Sequence, residues 1–82
     1  MYMKITVNYF GLIKDKTHLS QEYFELNSKV SLTTFLEKTL FVKYPSLKTI
    51  DFRIAVNNVM CENNRVITAK DTLSLMPFFS GG

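Results

Sequence analysis

Two glycines, Gly81 and Gly82, close the sequence behind Pro77-Phe78-Phe79-Ser80. Without a Cβ, a Gly-Gly end can thread a narrow channel and bring its carboxyl carbon close to another protein's reacting atoms. Extended at ~3.3–3.6 Å per residue, the stretch from Phe78 to Gly82 reaches about 17 Å, the depth of a deep active site. A terminal α-carboxylate, with a reference pKa of about 3.3–3.7, is ionised near neutral pH and is a poor electrophile. Conversion to an acyl-adenylate supplies a leaving group, and attack by a persulfide or other sulfur nucleophile then leaves a thiocarboxylate, itself a nucleophile. Neither step requires a catalytic side chain from this protein. The bland alternative is a loose terminus without a role. Against it, the glycines follow a strand pattern within a few residues, across an apolar approach.

The other reactive side chains offer less. Cys61 is the single thiol and His18 the single imidazole, too few for a four-ligand zinc site. A nucleophile-and-base pair would also lack an evident third group to orient it. Both are read as structural or solvent-facing. One cysteine excludes an internal disulfide and fits a reducing compartment, so the expected location is the cytoplasm. The lysines accompany no Gly-rich phosphate loop, so no nucleotide site, bound cofactor or metal is expected.

Ten Lys plus Arg against seven Asp plus Glu give a net charge of +3. These charges are scattered, which argues against nucleic acid as a partner even though Tyr9 and Phe10 are residue types that stack on bases. No apolar run approaches the ~20 residues needed to cross a bilayer, and Met1 to Lys4 leads straight into a strand pattern, so neither a membrane span nor a signal peptide is expected.

The elements that must carry the tail are legible in the periodicities. Met3, Ile5, Val7 and Tyr9 alternate with Lys4, Thr6 and Asn8 as a half-buried first strand. Gly11 to Thr17, with Asp15 flanked by lysines, reads as a polar turn region leading to a second strand, Glu22 to Leu26, with Phe24 and Leu26 on one face. The two form an antiparallel hairpin. Ser31 caps a helix with Leu32, Phe35, Leu36, Thr39 and Leu40 on its buried stripe, ending near Tyr44 before Pro45, with Glu37, Lys38 and Lys43 in solvent. Phe52, Ile54 and Val56 alternate with Arg53 and Ala55, and Asn57-Asn58 marks a tight hairpin turn. Leu73 and Leu75, against Thr72, Ser74 and Met76, form a last strand closed by Pro77.

Strand, strand, helix and short strands in that order make an α+β domain in which one main helix crosses one mixed sheet, a β-grasp pattern; a ferredoxin-like split arrangement is the alternative. At 82 residues the chain is one domain with a small core. Residues 1–77 are expected to fold and residues 78–82 to extend as the tail. Of Phe78 and Phe79, one is expected to fold back onto the sheet and the other to anchor a partner. Met60 and Met76 either join that patch or fill gaps in the core.

Ala55-Val56-Asn57, Leu73-Ser74-Leu75-Met76 and the ending Pro77-Phe78-Phe79-Ser80-Gly81-Gly82 together resemble the small subunit of molybdopterin synthase, over essentially the whole chain. The resemblance implies a ubiquitin-like β-grasp sulfur carrier, not an enzyme by itself, within a heterotetramer whose active site lies on the large subunit. Gly82 would be adenylated by an adenylyltransferase resembling ubiquitin-activating enzymes, at the expense of ATP, and thiocarboxylated by a persulfide protein. It would then deliver sulfur to cyclic pyranopterin monophosphate in molybdenum cofactor biosynthesis. Gly81 would be the slim spacer, and Pro77, Phe78, Phe79 and Ser80 the start of the inserted tail. Two departures stand where the resemblance places the partner. Ala69-Lys70-Asp71 replaces a Gly-containing acidic turn, and Phe78-Phe79 replaces a second proline and a small aliphatic residue. The alternatives are a sulfur carrier for thiamine thiazole synthesis, a ubiquitin-like modifier forming amide bonds to lysines, and an interaction module with incidental glycines.

Overall fold

The computed structural model describes residues 3–62 and 64–78. Strand β1 (Met3–Tyr9) buries Ile5, Val7 and Tyr9, as its period-2 alternation requires. It pairs antiparallel with β2 (Gln21–Leu26), Ile5 facing Phe24 and Met3 facing Leu26.

Between the two strands lies a correction. The segment expected as a polar turn is a short helix, α1 (Gly11–Thr17). Ile13 and Thr17, one turn apart, are buried while Lys14, Asp15 and Lys16 are exposed, so the charged run is the outer face of a helix rather than a loop. His18 ends it in the left-handed conformation (φ 64°), its N–H donating to the Lys14 carbonyl at 2.8 Å, a common helix stop.

A two-residue strand β3 (Val30–Ser31) pairs with β6 (Val66–Ile67) as a small second sheet. Ser31 then caps the main helix: its Oγ accepts from the Thr34 N–H at 3.1 Å. That helical segment comprises α2 (Leu32–Phe35), a π-helical turn (Leu36–Leu40) and α3 (Phe41–Lys43). Leu32, Phe35, Leu36 and Leu40 pack inward, with Thr39 half-buried beside them. The wide turn, whose five-residue spacing no apolar periodicity announces, sits where that stripe passes from Leu36 to Leu40. Tyr44 precedes Pro45, which opens a 3₁₀ turn (Pro45–Thr49).

Strand β4 (Phe52–Val56) turns through Asn57 and Asn58, both at positive φ (53° and 69°), into β5 (Val59–Met60). Paired positive φ values match the twist of a two-residue hairpin, which asparagine tolerates better than most residues. Last comes β7 (Thr72–Pro77). The sheet order is β2-β1-β7-β4-β5, with β1 and β7 parallel and every other pair antiparallel. The final strand therefore runs up the middle of a mixed sheet. Its Leu73 and Leu75 join Val7, Tyr9, Ile54 and Val56 under the main helix.

Candidate functional site

Because β7 is central, the chain leaves the sheet between two neighbours. On one side the Phe10 N–H donates to the Leu75 carbonyl at 3.1 Å. Gly11 follows at φ 55°, and a Cβ there would lie 2.9 Å from the Pro77 ring. Only glycine meets both conditions, the left-handed backbone and the close approach. On the other side Phe52 stands opposite Pro77, and the Phe78 N–H reaches the Asp51 carbonyl at 3.5 Å. The Arg53 guanidinium lies 4.9 Å from the centre of the Phe78 ring, within cation–π range.

Of the tail residues singled out from sequence, Pro77 and Phe78 are brought together with Gly11, Asp51 and Arg53. Phe79, Ser80, Gly81 and Gly82 lie outside the described residues, as does the arrangement of the Phe pair. Phe78 itself is 48% exposed and so is not a core residue. Gly11, Asp51 and Arg53 had no sequence signal tying them to the tail, since the strand pairing that brings them there is long-range.

The sheet face turned away from the main helix is continuous with this exit. Across it, Asn8, Ser74, Ala55 and Met60 stand in one register row, and Met76 stands opposite Arg53 in the next. Met60 is exposed and Met76 half-buried, so both belong to this face and not to gaps in the core. Farther across, Lys4 lies over the Tyr23 ring at 4.2 Å, and Gln21 donates to Asn8 at 2.9 Å.

The start of β7 is tied by side chains. The buried Asp71 carboxylate accepts from Asn57 Nδ2 at 2.9 Å and from the Thr68 N–H at 2.8 Å. Asn57 Oδ1 accepts the Thr72 N–H at 2.9 Å. Lys70 takes φ 71°, the conformation a glycine would offer in that turn. The Ala69-Lys70-Asp71 departure therefore stands at the opposite end of a six-residue strand, about 20 Å from the exit.

A third polar cluster joins β1 and β2 to the end of the main helix. Glu22 Oε1 accepts from Tyr9 and Tyr44, each at 2.8 Å, and Oε2 pairs with Lys43. Lys43, expected in open solvent, is exposed but bonded. Burial alone would push the Glu22 carboxyl up; the hydrogen bonds from Lys43, Tyr44 and Tyr9 together outweigh it and hold the group below its ordinary value. Burial, then Glu22, pushes the Tyr9 phenol well above its ordinary value. With 1% of its surface exposed, Tyr9 is a core residue and unavailable for stacking on a base. Cys61 is half-buried at the core margin, its thiol 3.9 Å from the Ile54 carbonyl. His18 is an exposed helix stop. Among the described residues no helix is long and apolar enough to cross a membrane.

The ThiS family pattern matches residues 7–82. The chain belongs to the ThiS family and is a ubiquitin-like sulfur carrier. Its fold is the ubiquitin-like β-grasp, shared with a Pyrococcus furiosus structure described as molybdopterin converting factor, subunit 1 (TM-score 0.83, 19% identity, 92% of this chain and 97% of that chain). Small archaeal modifier protein 1 from Haloferax volcanii is similar (TM-score 0.81, 16% identity, 96% and 99% covered). So is small archaeal modifier protein 1 from Methanosarcina acetivorans (TM-score 0.76, 18% identity, 100% and 99% covered).

Proposed function

We propose that this ThiS-family carrier is the sulfur-donating small subunit of molybdopterin synthase, with residues 1–77 docking and residues 78–82 delivering. The observation that carries the proposal is the apolar, proline-led approach to the glycines, Pro77-Phe78-Phe79 before Gly81-Gly82, rising from the central strand. The likeness to the Pyrococcus furiosus converting-factor subunit supports it.

In this role the Gly82 carboxylate attacks ATP on a ubiquitin-activating-like adenylyltransferase, and pyrophosphate leaves. A persulfide sulfur displaces AMP to give an acyl disulfide, and a second thiol attacks its outer sulfur, forming a disulfide with the donor and freeing the thiocarboxylate. The large subunit then accepts the tail, and its active site transfers the sulfur to cyclic pyranopterin monophosphate. The present chain binds no cofactor and catalyses no step. Its open sheet face, with Met60 and Met76, holds the large subunit while Gly81 and Gly82 pass into the active site.

A second role, protein modification through an amide bond to lysine, is favoured by the likeness to the two small archaeal modifier proteins. One reconstitution separates the possibilities. Thiocarboxylated protein is offered in parallel to a molybdopterin synthase large subunit with its precursor, to a thiazole synthase, and to a cell extract with ATP. Molybdopterin formation, lost on deletion of Gly82 with the fold intact, is the expected result. Thiazole formation alone would reassign the carrier to thiamine synthesis, and ATP-dependent higher-mass lysine adducts alone would make it a modifier.

A further inference from the structure

The last described residue of the tail is held on the sheet by a contact that the carrier chemistry does not explain. Phe78 is half exposed, yet its ring lies under the Arg53 guanidinium at 4.9 Å and its N–H faces the Asp51 carbonyl. On the other flank Pro77 sits against Gly11 with no room for a Cβ. Arg53 forms no ion pair among the described residues. Its charge is spent on the aromatic face.

We infer that Arg53 is a positioning residue for the tail: stacked on Phe78, it fixes the residue from which the Gly-Gly segment starts, so that the activating enzyme meets the tail at a set point beside β7. This inference rests on the proposed role of Gly82. Any segment that enters an active site loses conformational freedom, and fixing its root beforehand removes part of that cost. The gain belongs to productive binding, so it appears in KM and leaves kcat nearly unchanged. Arg53 touches neither ATP nor the reacting carbon and acts only through Phe78.

The test is a double-substitution cycle on ATP-dependent thiocarboxylation with a competent adenylyltransferase and sulfur donor, followed by intact-protein mass. Arg53→Met keeps the aliphatic stem and removes the charge; Phe78→Leu keeps an apolar side chain and removes the ring. Each is expected to raise KM about two- to five-fold, the range of an exposed cation–π contact, with kcat and melting temperature unchanged. The double variant should be no worse than either single one, and Phe78→Trp should retain the wild-type KM. In the free protein, Arg53→Met should also shift the Phe78 amide and ring resonances.

Multiplying effects in the double variant would overturn the inference, because they would make Arg53 and Phe78 independent contacts of the enzyme. An unchanged KM in both single variants would also overturn it. Failure of the wild-type protein to gain sulfur under conditions that load another carrier would instead overturn the proposed role itself.

Discussion

The two ends of β7 are held by different physics. At its start, Asp71, Asn57, Thr68 and Thr72 form a closed set of hydrogen bonds around a buried carboxylate. At its exit there is a glycine under a proline ring, a long backbone hydrogen bond and a cation over an aromatic face. A buried carboxylate is expensive to leave unpaired, so the first end is rigidly specified. Contacts at the second end are weak one by one and expose most of what they touch. The strand is fixed by polar pairing where it enters and by several weaker contacts where it leaves.

Breaking the anchor should have the largest effect. Asn57→Ala removes two side-chain hydrogen bonds, leaves Asp71 short of a donor and puts a Cβ-bearing residue without a local hydrogen bond at positive φ. It should cost about 3 kcal/mol in denaturant unfolding. Gly11→Ala acts on the exit, where the left-handed backbone and the Pro77 contact should cost about 1–2 kcal/mol. That variant should also loosen the Phe78 amide in hydrogen exchange, an effect Asn57→Ala should not share.

Beside the exit, polar anchoring comes from the next strand rather than from β7, since Tyr9, paired with Leu75, donates to Glu22. The Glu22 carboxyl is depressed in the folded state, so its contribution is present above the ordinary value near 4.5 and is lost as pH falls through the folded value. Melting temperature should therefore drop below about pH 4.5, and Lys43→Met should diminish that acid-side loss. Phe78→Leu should have the smallest effect on stability, within about 0.5 kcal/mol.

Much of this was legible because alternation and helical spacing are local. The β1 and β2 faces, the Ser31 cap, the apolar stripe of the main helix and the Asn57-Asn58 turn each follow from neighbouring residues. Helix α1 was not legible, because Ile13 and Thr17 are its only buried positions and the lysines around Asp15 mask them. The π-helical turn has no periodic signature. The proposed working glycines, Gly81 and Gly82, stand out by type and place, but Gly11 and Arg53 come beside Pro77 and Phe78 only through the parallel β1–β7 and antiparallel β4–β7 pairings. No local pattern encodes those two registers. The resemblance in Ala55-Val56-Asn57 and Leu73-Ser74-Leu75-Met76 anticipated the ThiS-family match; those residues lie on the adjacent strands β4 and β7 and in the turn after β4.

The most direct measurement is the intact mass of the protein after incubation with ATP, a competent adenylyltransferase and a sulfur donor, beside a form lacking Gly82. Replacement of one oxygen by sulfur, localised to Gly82 and absent from the shortened form, is the predicted result. An unchanged mass, with the same enzyme loading a second carrier in parallel, would contradict the account.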